Sequence, residues 1–378
     1  MVCHDFGNQP LAGQFPKLAE TSSACKKFPL DLSQCLNCGL LQVTHIPEIE
    51  EIFNAQYRYS SSTIAPLVSH FQGLSDWLAQ RCPVEEFPRV LEFGCNDGVL
   101  LQQMKRRGYQ CTGVDASDNI AALARAKGLD VYTAFFTQKF VASLNLEQKF
   151  DVISCSNVFA HIDDLEDITQ ACWHALRVGG VFCIEVHDGD MIFSHNQFDT
   201  IYHEHLTYFT LNTLSEHLER HGFEISTSVR TDMHGGGLRV LAKKINSSEQ
   251  LKSTTTQASP TKKTYGDLSL SLKQARQNIV TLSQQHGKLW GYGAAGRSQM
   301  FINFLDASEY FERIYDDSPL RQGRYIVGTD IAISAFSGEK HDGALVILAW
   351  NYAPTIAARL TKNFDAVYTV LPDLKRWV

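Results

Sequence analysis

The chain predicts an α/β protein with two parallel-sheet regions behind a small amino-terminal module, and three observations carry that expectation. Short apolar runs of strand length alternate with amphipathic helical patterns over most of its 378 residues, and alternating β and α segments pack as a parallel sheet covered by helices. A polar stretch over 246–264, NSSEQLKSTTTQASPTKKT, holds too little apolar surface to fold alone and separates a larger region from a smaller one. The length itself exceeds what one core usually serves, since single cores stop growing at roughly 250–300 residues.

Residues 1–65 show little periodicity, one Cys-x-x-Cys and several turn residues, the marks of a small irregular module. In 66–245 the strand-type runs are Arg89 to Gly94, Cys111 to Asp115, Phe150 to Cys155 and Gly180 to Glu185, with helical patterns such as Val99 to Arg107 and Asn119 to Lys127 between them. Residues 246–264 form the linker. Residues 265–378 open with a long helical pattern, Asp267 to Gln285, followed by the runs Lys288 to Tyr292, Arg313 to Tyr315, Ala344 to Leu348 and Ala366 to Leu371. These make a second, smaller α/β domain.

With 44% hydrophobic and 20% charged residues the composition is globular, which excludes disordered, collagen-like and coiled-coil chains. Thirty-four basic against 41 acidic residues give a net charge of −7; with no basic run to override it, nucleic acid and membranes are not expected partners. The longest apolar stretches, such as Ala344 to Trp350, fall far short of the ~20 residues of a membrane helix. Met1 to Pro10 has neither the basic nor the apolar region of a secretory signal, so a cytoplasmic location is expected. Of the ten cysteines only Cys35 and Cys38 are close-set, while Cys111, Cys155 and Cys183 lie in apolar runs where a thiol packs as a small hydrophobe. Disulfides are not expected.

The first strand of the larger region ends in Glu92-Phe93-Gly94-Cys95-Asn96-Asp97-Gly98, and the second ends in Gly113-Val114-Asp115, with Ser117 just beyond. In an open α/β sheet a nucleotide-type ligand sits past the strand carboxyl ends, where glycines admit the backbone and an acidic residue after the second strand accepts from ribose hydroxyls. Asp115 has that place. The loop is neither G-x-G-x-x-G nor a Walker A sequence, so a methionine-linked adenosine fits it better than a pyrophosphate or triphosphate. Glu92, Gly94, Asn96, Gly98, Asp115, Ser117 and Ser156 are the candidate cofactor-binding residues; a plain strand–turn–helix is the alternative. Ser156-Asn157 and His161-Ile162-Asp163-Asp164 follow the run Phe150 to Cys155, and several polar groups at successive strand ends favour a pocket.

The densest chemistry lies in Phe198 to Phe209, FDTIYHEHLTYF, where a phenol, two imidazoles and a carboxylate occupy positions 202–205. Histidine titrates near neutral pH and is the commonest general base, tyrosine can donate to a developing oxyanion, and Glu204 could orient or tune either. Two rivals stand beside proton transfer. His203 and His205 would share one face on a strand and could ligate a metal, whereas on a helix they diverge, and the cluster could be structural.

These residues reach a known family. The chain resembles the S-adenosylmethionine-dependent C-methyltransferases of nucleotide-linked deoxysugars, nearly end to end. The matching elements are Asp5-Phe6-Gly7-Asn8-Gln9-Pro10-Leu11, Cys35-Leu36-Asn37-Cys38-Gly39, Tyr57-Arg58-Tyr59-Ser60-Ser61-Ser62, the Glu92 to Gly98 loop, Asn157 to His161, Tyr202 to His205, His234-Gly235-Gly236, Gly291-Tyr292-Gly293-Ala294 and Trp350-Asn351. The resemblance implies a zinc-binding amino-terminal module, a central class I methyltransferase domain, and a carboxyl-terminal Rossmann-like domain that helps hold the sugar nucleotide. The implied cofactor is S-adenosylmethionine and the implied substrate a 4-keto sugar, whose ketone acidifies the adjacent C–H so that an enolate can take the methyl group. By position, His205 is then the base, Tyr202 its partner at the keto oxygen and Glu204 their support. Tyr57 and Tyr59 close the pocket, Asn157 and His161 touch sugar or cofactor, and His234, Gly293, Arg297 and Asn351 lie on the substrate side.

Two features depart from the family pattern or compete with it. Members carry two Cys-x-x-Cys pairs for a four-cysteine zinc site, whereas here the chain starts about where the first pair would have passed and only Cys35 and Cys38 are in register. Cys3, His4 and Cys25 are donors zinc accepts, at irregular spacing; idle thiols are the alternative. Gly291-Tyr292-Gly293-Ala294-Ala295-Gly296 satisfies G-x-G-x-x-G, with Asp316 and Asp317 about 20 residues on, and taken alone it says dehydrogenase. The resemblance instead turns that loop toward the substrate's diphosphate, where the helix amino terminus and Arg297 favour an anion; a loop with no ligand is the third reading. The expected activity is methyl transfer to a ring carbon of a nucleotide-linked keto-deoxysugar. An O- or N-methyltransferase of another small molecule, or an inactive sugar-nucleotide-binding protein, are the alternatives. Oligomeric state leaves no sign in the sequence.

Overall fold

The apolar runs of the larger region become the parallel strands of a seven-stranded sheet. The strands are β1 (Arg89–Phe93), β2 (Gln110–Asp115), β3 (Asp130–Thr133), β4 (Phe150–Ser156), β5 (Leu176–His187), β6 (Phe223–Thr231) and β7 (Gly237–Lys244). The computed structural model describes residues 1–48, 61–63, 65–245 and 268–377; the linker 246–264, Tyr57 and Tyr59 lie outside the described residues. The sheet order is β6-β7-β5-β4-β1-β2-β3. Strands β1 to β5 run parallel, β7 pairs antiparallel with β5, and β6 pairs antiparallel with β7 at the edge. β1 has β2 on one side and β4 on the other, so the neighbour order reverses there, which is where such sheets open a crevice beyond their carboxyl ends.

Leu67, Leu74 and Leu78 of the helix Ala65–Arg81 pack with Val90, Val152, Cys183 and Leu241 of β1, β4, β5 and β7, alternate positions that share one sheet face. A second cluster gathers Leu101, Ala121, Ala124, Leu129 and Val131. This unit draws on 53–188 and 207–262.

The other unit draws on 1–52, 189–206 and 263–378. Its sheet comprises β8 (Leu289–Tyr292), β9 (Phe311–Tyr315), β10 (Arg324–Tyr325), β11 (Ala332–Ser334), β12 (His341–Ile347), β13 (Phe364–Thr369) and β14 (Lys375–Arg376), in the order β10-β11-β9-β8-β12-β13-β14. The central strands are parallel and the two edges antiparallel. Residues expected to be irregular form antiparallel strands instead, Val2–Pro10 with Lys27–Gln34 and the latter with Leu41–Val43. Register breaks at Val2/His4 and Asp5/Asn8 erase the period of two that would have announced them.

Four long-range contacts tie this unit together. The Gly13 N–H donates to Gln299 Oε1 at 2.7 Å and Gln299 Nε2 donates to the Gln14 carbonyl at 2.8 Å. Ser22 Oγ donates to the Ile326 carbonyl at 2.8 Å. Phe198 stacks on Phe301, with ring centroids 6.2 Å apart. The segment 189–206, which sequence order places within 66–245, therefore packs with the first and last parts of the chain. None of the ten cysteines is disulfide-bonded, and no helix among the described residues is long and apolar enough to cross a membrane.

Candidate active site

In the first unit the candidate residues gather at the carboxyl ends of β1, β2, β4 and β5. Gly94 takes φ +61°, and a Cβ there would lie 2.2 Å from Val158 Cγ2, so the turn after β1 touches the turn after β4 only because residue 94 has no side chain. Asn96 and Asn157 also hold positive φ, 51° and 55°. The Asp115 carboxylate is fixed by two backbone donors, Asn96 N–H to Oδ2 and Ser117 N–H to Oδ1, both at 2.9 Å. Asn96 Oδ1 accepts from the Ser61 N–H at 2.9 Å, while Asp97 accepts from Ser62 and lies 3.2 Å from Lys127 Nζ. His161 ends the short turn Phe159–His161. His234 sits in the turn between β6 and β7, which the pairing of Gly237 with His187 brings beside the end of β5.

This edge is strongly acidic. Burial raises the Asp115 carboxyl against the pull of its two N–H donors. Glu92 is raised well above the carboxylate range, first by burial and then by Asp115, Glu185 and Asp97, and among the described residues its Oε2 has no hydrogen-bond partner. A buried carboxyl cluster of this kind suits a ligand that brings its own positive charge, and S-adenosylmethionine carries a sulfonium and an ammonium. Glu92 and Asp115, at the carboxyl ends of β1 and β2, and Asn96 and Ser117, just beyond them, fit that group.

Glu185 belongs to the same edge and was not among the candidates. Arg239 Nε donates to its Oε1 at 2.7 Å, Ser156 Oγ donates to Oε2 at 3.1 Å, and His70 Nε2 lies 2.9 Å from Oε2. Burial opposes its charge, yet the hydrogen bond and charge of His70, with Arg239, prevail and hold it below the usual range. Its own carbonyl accepts from the Asn157 N–H at 2.8 Å, so this pair of β-strand ends positions Ser156 and Asn157 together. The sequence signal was a glutamate inside the apolar run Val181 to Val186, a position that polar groups occupy only with partners.

The four residues 202–205 lie in the second unit, after the buried turn Phe198–Thr200. The Tyr202 and His205 rings face each other, centroids 4.0 Å apart and tilted by 35°. His205 Nδ1 is 2.7 Å from the Thr200 carbonyl oxygen; a carbonyl only accepts, so Nδ1 carries the proton and Nε2 the lone pair of the neutral ring. Glu204, half-buried, is pushed up to about 7 by desolvation; a Cβ on Gly13 would meet its Oε1 at 3.4 Å. His203 turns elsewhere: fully buried, its Nε2 donates to the Pro29 carbonyl at 3.1 Å, and burial holds its pKa down.

Arg297, expected to meet a substrate anion, pairs with the buried Asp199 carboxylate at 2.7 Å. The glycine loop before it is packed by protein: a Cβ on Gly293 would lie 2.5 Å from the Ala349 Cβ, and one on Gly296 would lie 3.4 Å from the Ala12 Cβ. Asp316, in the place a dinucleotide's ribose would seek, instead holds the Ala294 and Ser318 N–H groups and Arg321. Asn351 lies in the turn Trp350–Tyr352 and hydrogen-bonds Tyr352. Cys35 and Cys38 occupy the turn between the strands Lys27–Gln34 and Leu41–Val43. Among the described residues no three His, Cys, Asp or Glu side chains are grouped to hold a metal.

Three family models cover nearly the whole chain in order. Residues 2–53 match one described as "Putative zinc binding domain", residues 69–228 a methyltransferase domain, and residues 232–369 a C-methyltransferase C-terminal domain. C-methyltransferase NovU of Streptomyces niveus is 29% identical over 369 residues, spanning 93% of this chain and 87% of that protein. A ubiquinone biosynthesis O-methyltransferase of Xylella fastidiosa is 32% identical over 108 residues, which are 28% of this chain and 44% of that one. Among solved structures, an S-adenosylmethionine-dependent methyltransferase from Clostridium acetobutylicum aligns with 16% identity and a TM-score of 0.38, over 47% of this chain and 92% of its own. The magnesium protoporphyrin IX methyltransferase of Synechocystis with bound S-adenosylmethionine aligns with 15% identity and a TM-score of 0.36, over 47% and 79%.

Proposed function

We propose that the chain is an S-adenosylmethionine-dependent C-methyltransferase, a reading supported by its methyltransferase and C-methyltransferase C-terminal domain matches and its likeness to NovU, and that its acceptor is a ring carbon beside the ketone of a nucleotide-linked 4-keto-deoxysugar. The observation that carries this reading is the Tyr202–His205 pair, a phenol ring 4.0 Å from an imidazole whose proton lies on Nδ1. Carbon is a poor nucleophile until it loses a proton, so methylation at carbon needs a base and a donor to the oxyanion, whereas transfer to oxygen needs mainly a base.

His205 Nε2 removes the proton next to the ketone, and the C–H electron pair becomes the enolate while the Tyr202 hydroxyl donates to its oxygen. Bound S-adenosylmethionine supplies the electrophilic methyl group: the new C–C bond forms as the S–CH3 bond breaks, its electron pair stays on sulfur, and S-adenosylhomocysteine results. The imidazolium then loses its proton to water. Glu204 tunes the pair by its own charge. Asn157 and His161 are assigned to the reacting sugar, and His234 and Asn351 to the substrate side.

Deuterium exchange isolates the first half of this chemistry. Uridine- and thymidine-diphosphate 4-keto-6-deoxyhexoses are incubated in D2O with the protein and S-adenosylhomocysteine, and loss of the α-proton signal is followed by NMR. The wild-type protein is expected to catalyse exchange with at least one sugar, and His205→Gln to slow exchange and methyl transfer by about 10²-fold or more. Absence of exchange with every sugar refutes the substrate class; near wild-type exchange by His205→Gln refutes the base.

A further inference from the structure

We propose that Asp199, Arg297 and Trp350 form a positioning network that fixes the tautomer and direction of the His205 imidazole, a role that rests on the reading of His205 as the base. The Asp199 carboxylate is almost completely buried, with 1% of its side chain exposed. Three donors converge on it: Arg297 Nε at 3.1 Å and Trp350 Nε1 at 2.9 Å on Oδ2, and Arg297 Nη2 at 2.7 Å on Oδ1. The guanidinium also lies over the Trp350 ring, 4.8 Å from its centroid. An ion pair this deep is poor value as a stabiliser, because apolar residues of the same volume usually serve as well. What it does supply is one defined geometry for the residue that carries it.

The next residue is Thr200, whose carbonyl accepts the His205 Nδ1 proton at 2.7 Å. The Thr200 carbonyl shares one rigid peptide plane with the Ile201 N–H, and that N–H donates to the Phe198 carbonyl at 3.1 Å, closing the turn Phe198–Thr200 that has Asp199 at its middle. Holding the Asp199 side chain therefore holds the carbonyl that reads the imidazole proton. The same logic orients the histidine of a catalytic triad, with a backbone oxygen in place of the carboxylate. Arg297 thus acts through two neighbours on the base rather than on a substrate anion.

The test uses the full chain labelled with 15N-histidine. Long-range 1H–15N spectra report which ring nitrogen is protonated, and the signal missing in His205→Gln identifies residue 205. In the wild-type protein His205 is expected to be the Nδ1–H tautomer. In Trp350→Phe and Asp199→Asn it is expected to become a mixture with the Nε2–H form, with turnover down about 10-fold or more and KM within about twofold. S-adenosylhomocysteine affinity, read in the same samples, is expected to stay at the wild-type value. If Asp199→Asn does not fold, Trp350→Phe, which removes one hydrogen bond and little volume, decides alone. A tautomer unmoved by Trp350→Phe overturns the network, even if turnover falls with stability. Wild-type turnover by His205→Gln overturns the base and leaves the tautomer result standing, so the two failures are distinguishable.

Discussion

Gly94 in one unit and Glu204 in the other are the two residues whose substitution tests the cofactor and base assignments separately. A methyl group at 94 would have to share space with Val158 while keeping φ +61°, so Gly94→Ala is expected to cost about 1–3 kcal/mol of stability. It should also weaken S-adenosylhomocysteine binding at least 10-fold by calorimetry; undiminished affinity would show that the contact between the two turns is not needed for the ligand. Glu204 titrates at about 7, against 4.5 in the unfolded chain. A carboxyl raised on folding favours the folded state below 4.5 and loses that advantage as pH rises toward 7. Glu204→Gln keeps the neutral shape at every pH, so its stability is expected to lie flat where the wild-type protein's declines from pH 4.5 to 7. The wild-type pH–rate limb near 7 should vanish in the same variant; a limb that persists assigns that titration to another group.

A helix pair supplies the test at the next scale. On the helix Leu211–Arg220, His217 packs against the helix Leu165–Ala175, with Nε2 2.8 Å from Thr169 Oγ1. Burial first, then the neighbouring His221 and Arg220, hold its pKa at about 4. A histidine depressed on folding stabilises the folded state above its ordinary value and withdraws that support as pH falls from 6.5 to 4, at most about 1.4 kcal/mol per pH unit. His217→Gln is expected to flatten urea midpoints across that window; an unchanged acid slope would move the effect elsewhere. Elements with a strong period were legible in the sequence, since β1, β2 and β4 begin and end within a residue or two of the apolar runs. β6 was not, because it is a largely exposed strand written in serine, threonine and arginine, and exposed strands need not alternate. The residues 202–205 stood out by composition alone, whereas Asp199 and Glu185 did not. A single acidic residue in an apolar stretch becomes informative only when its partner is known, and Arg297 and Arg239 lie 98 and 54 positions away.

Ligand binding couples the local geometry to the whole molecule. At a hundredfold excess over Kd, S-adenosylhomocysteine adds about 2.7 kcal/mol to whatever it binds in the folded form, so it is expected to raise the melting temperature, and Asp115→Ala to erase that rise. A rise retained by the variant would mean that Asp115 does not hold the ligand. The second unit is assembled from three separate stretches of chain, and that has a consequence for how the protein is made. The Gly13–Gln299 and Ser22–Ile326 bonds span 286 and 304 residues, so the first strands to leave the ribosome, which pair with one another within residues 2–43, lack these two contacts until almost the last residues emerge. At roughly 5–20 residues per second that interval is about 15–60 s. During it the amino-terminal strands and the Tyr202–His205 segment are nascent chain awaiting a late-arriving scaffold, and the protein's yield in the cell depends on what shields them in the meantime.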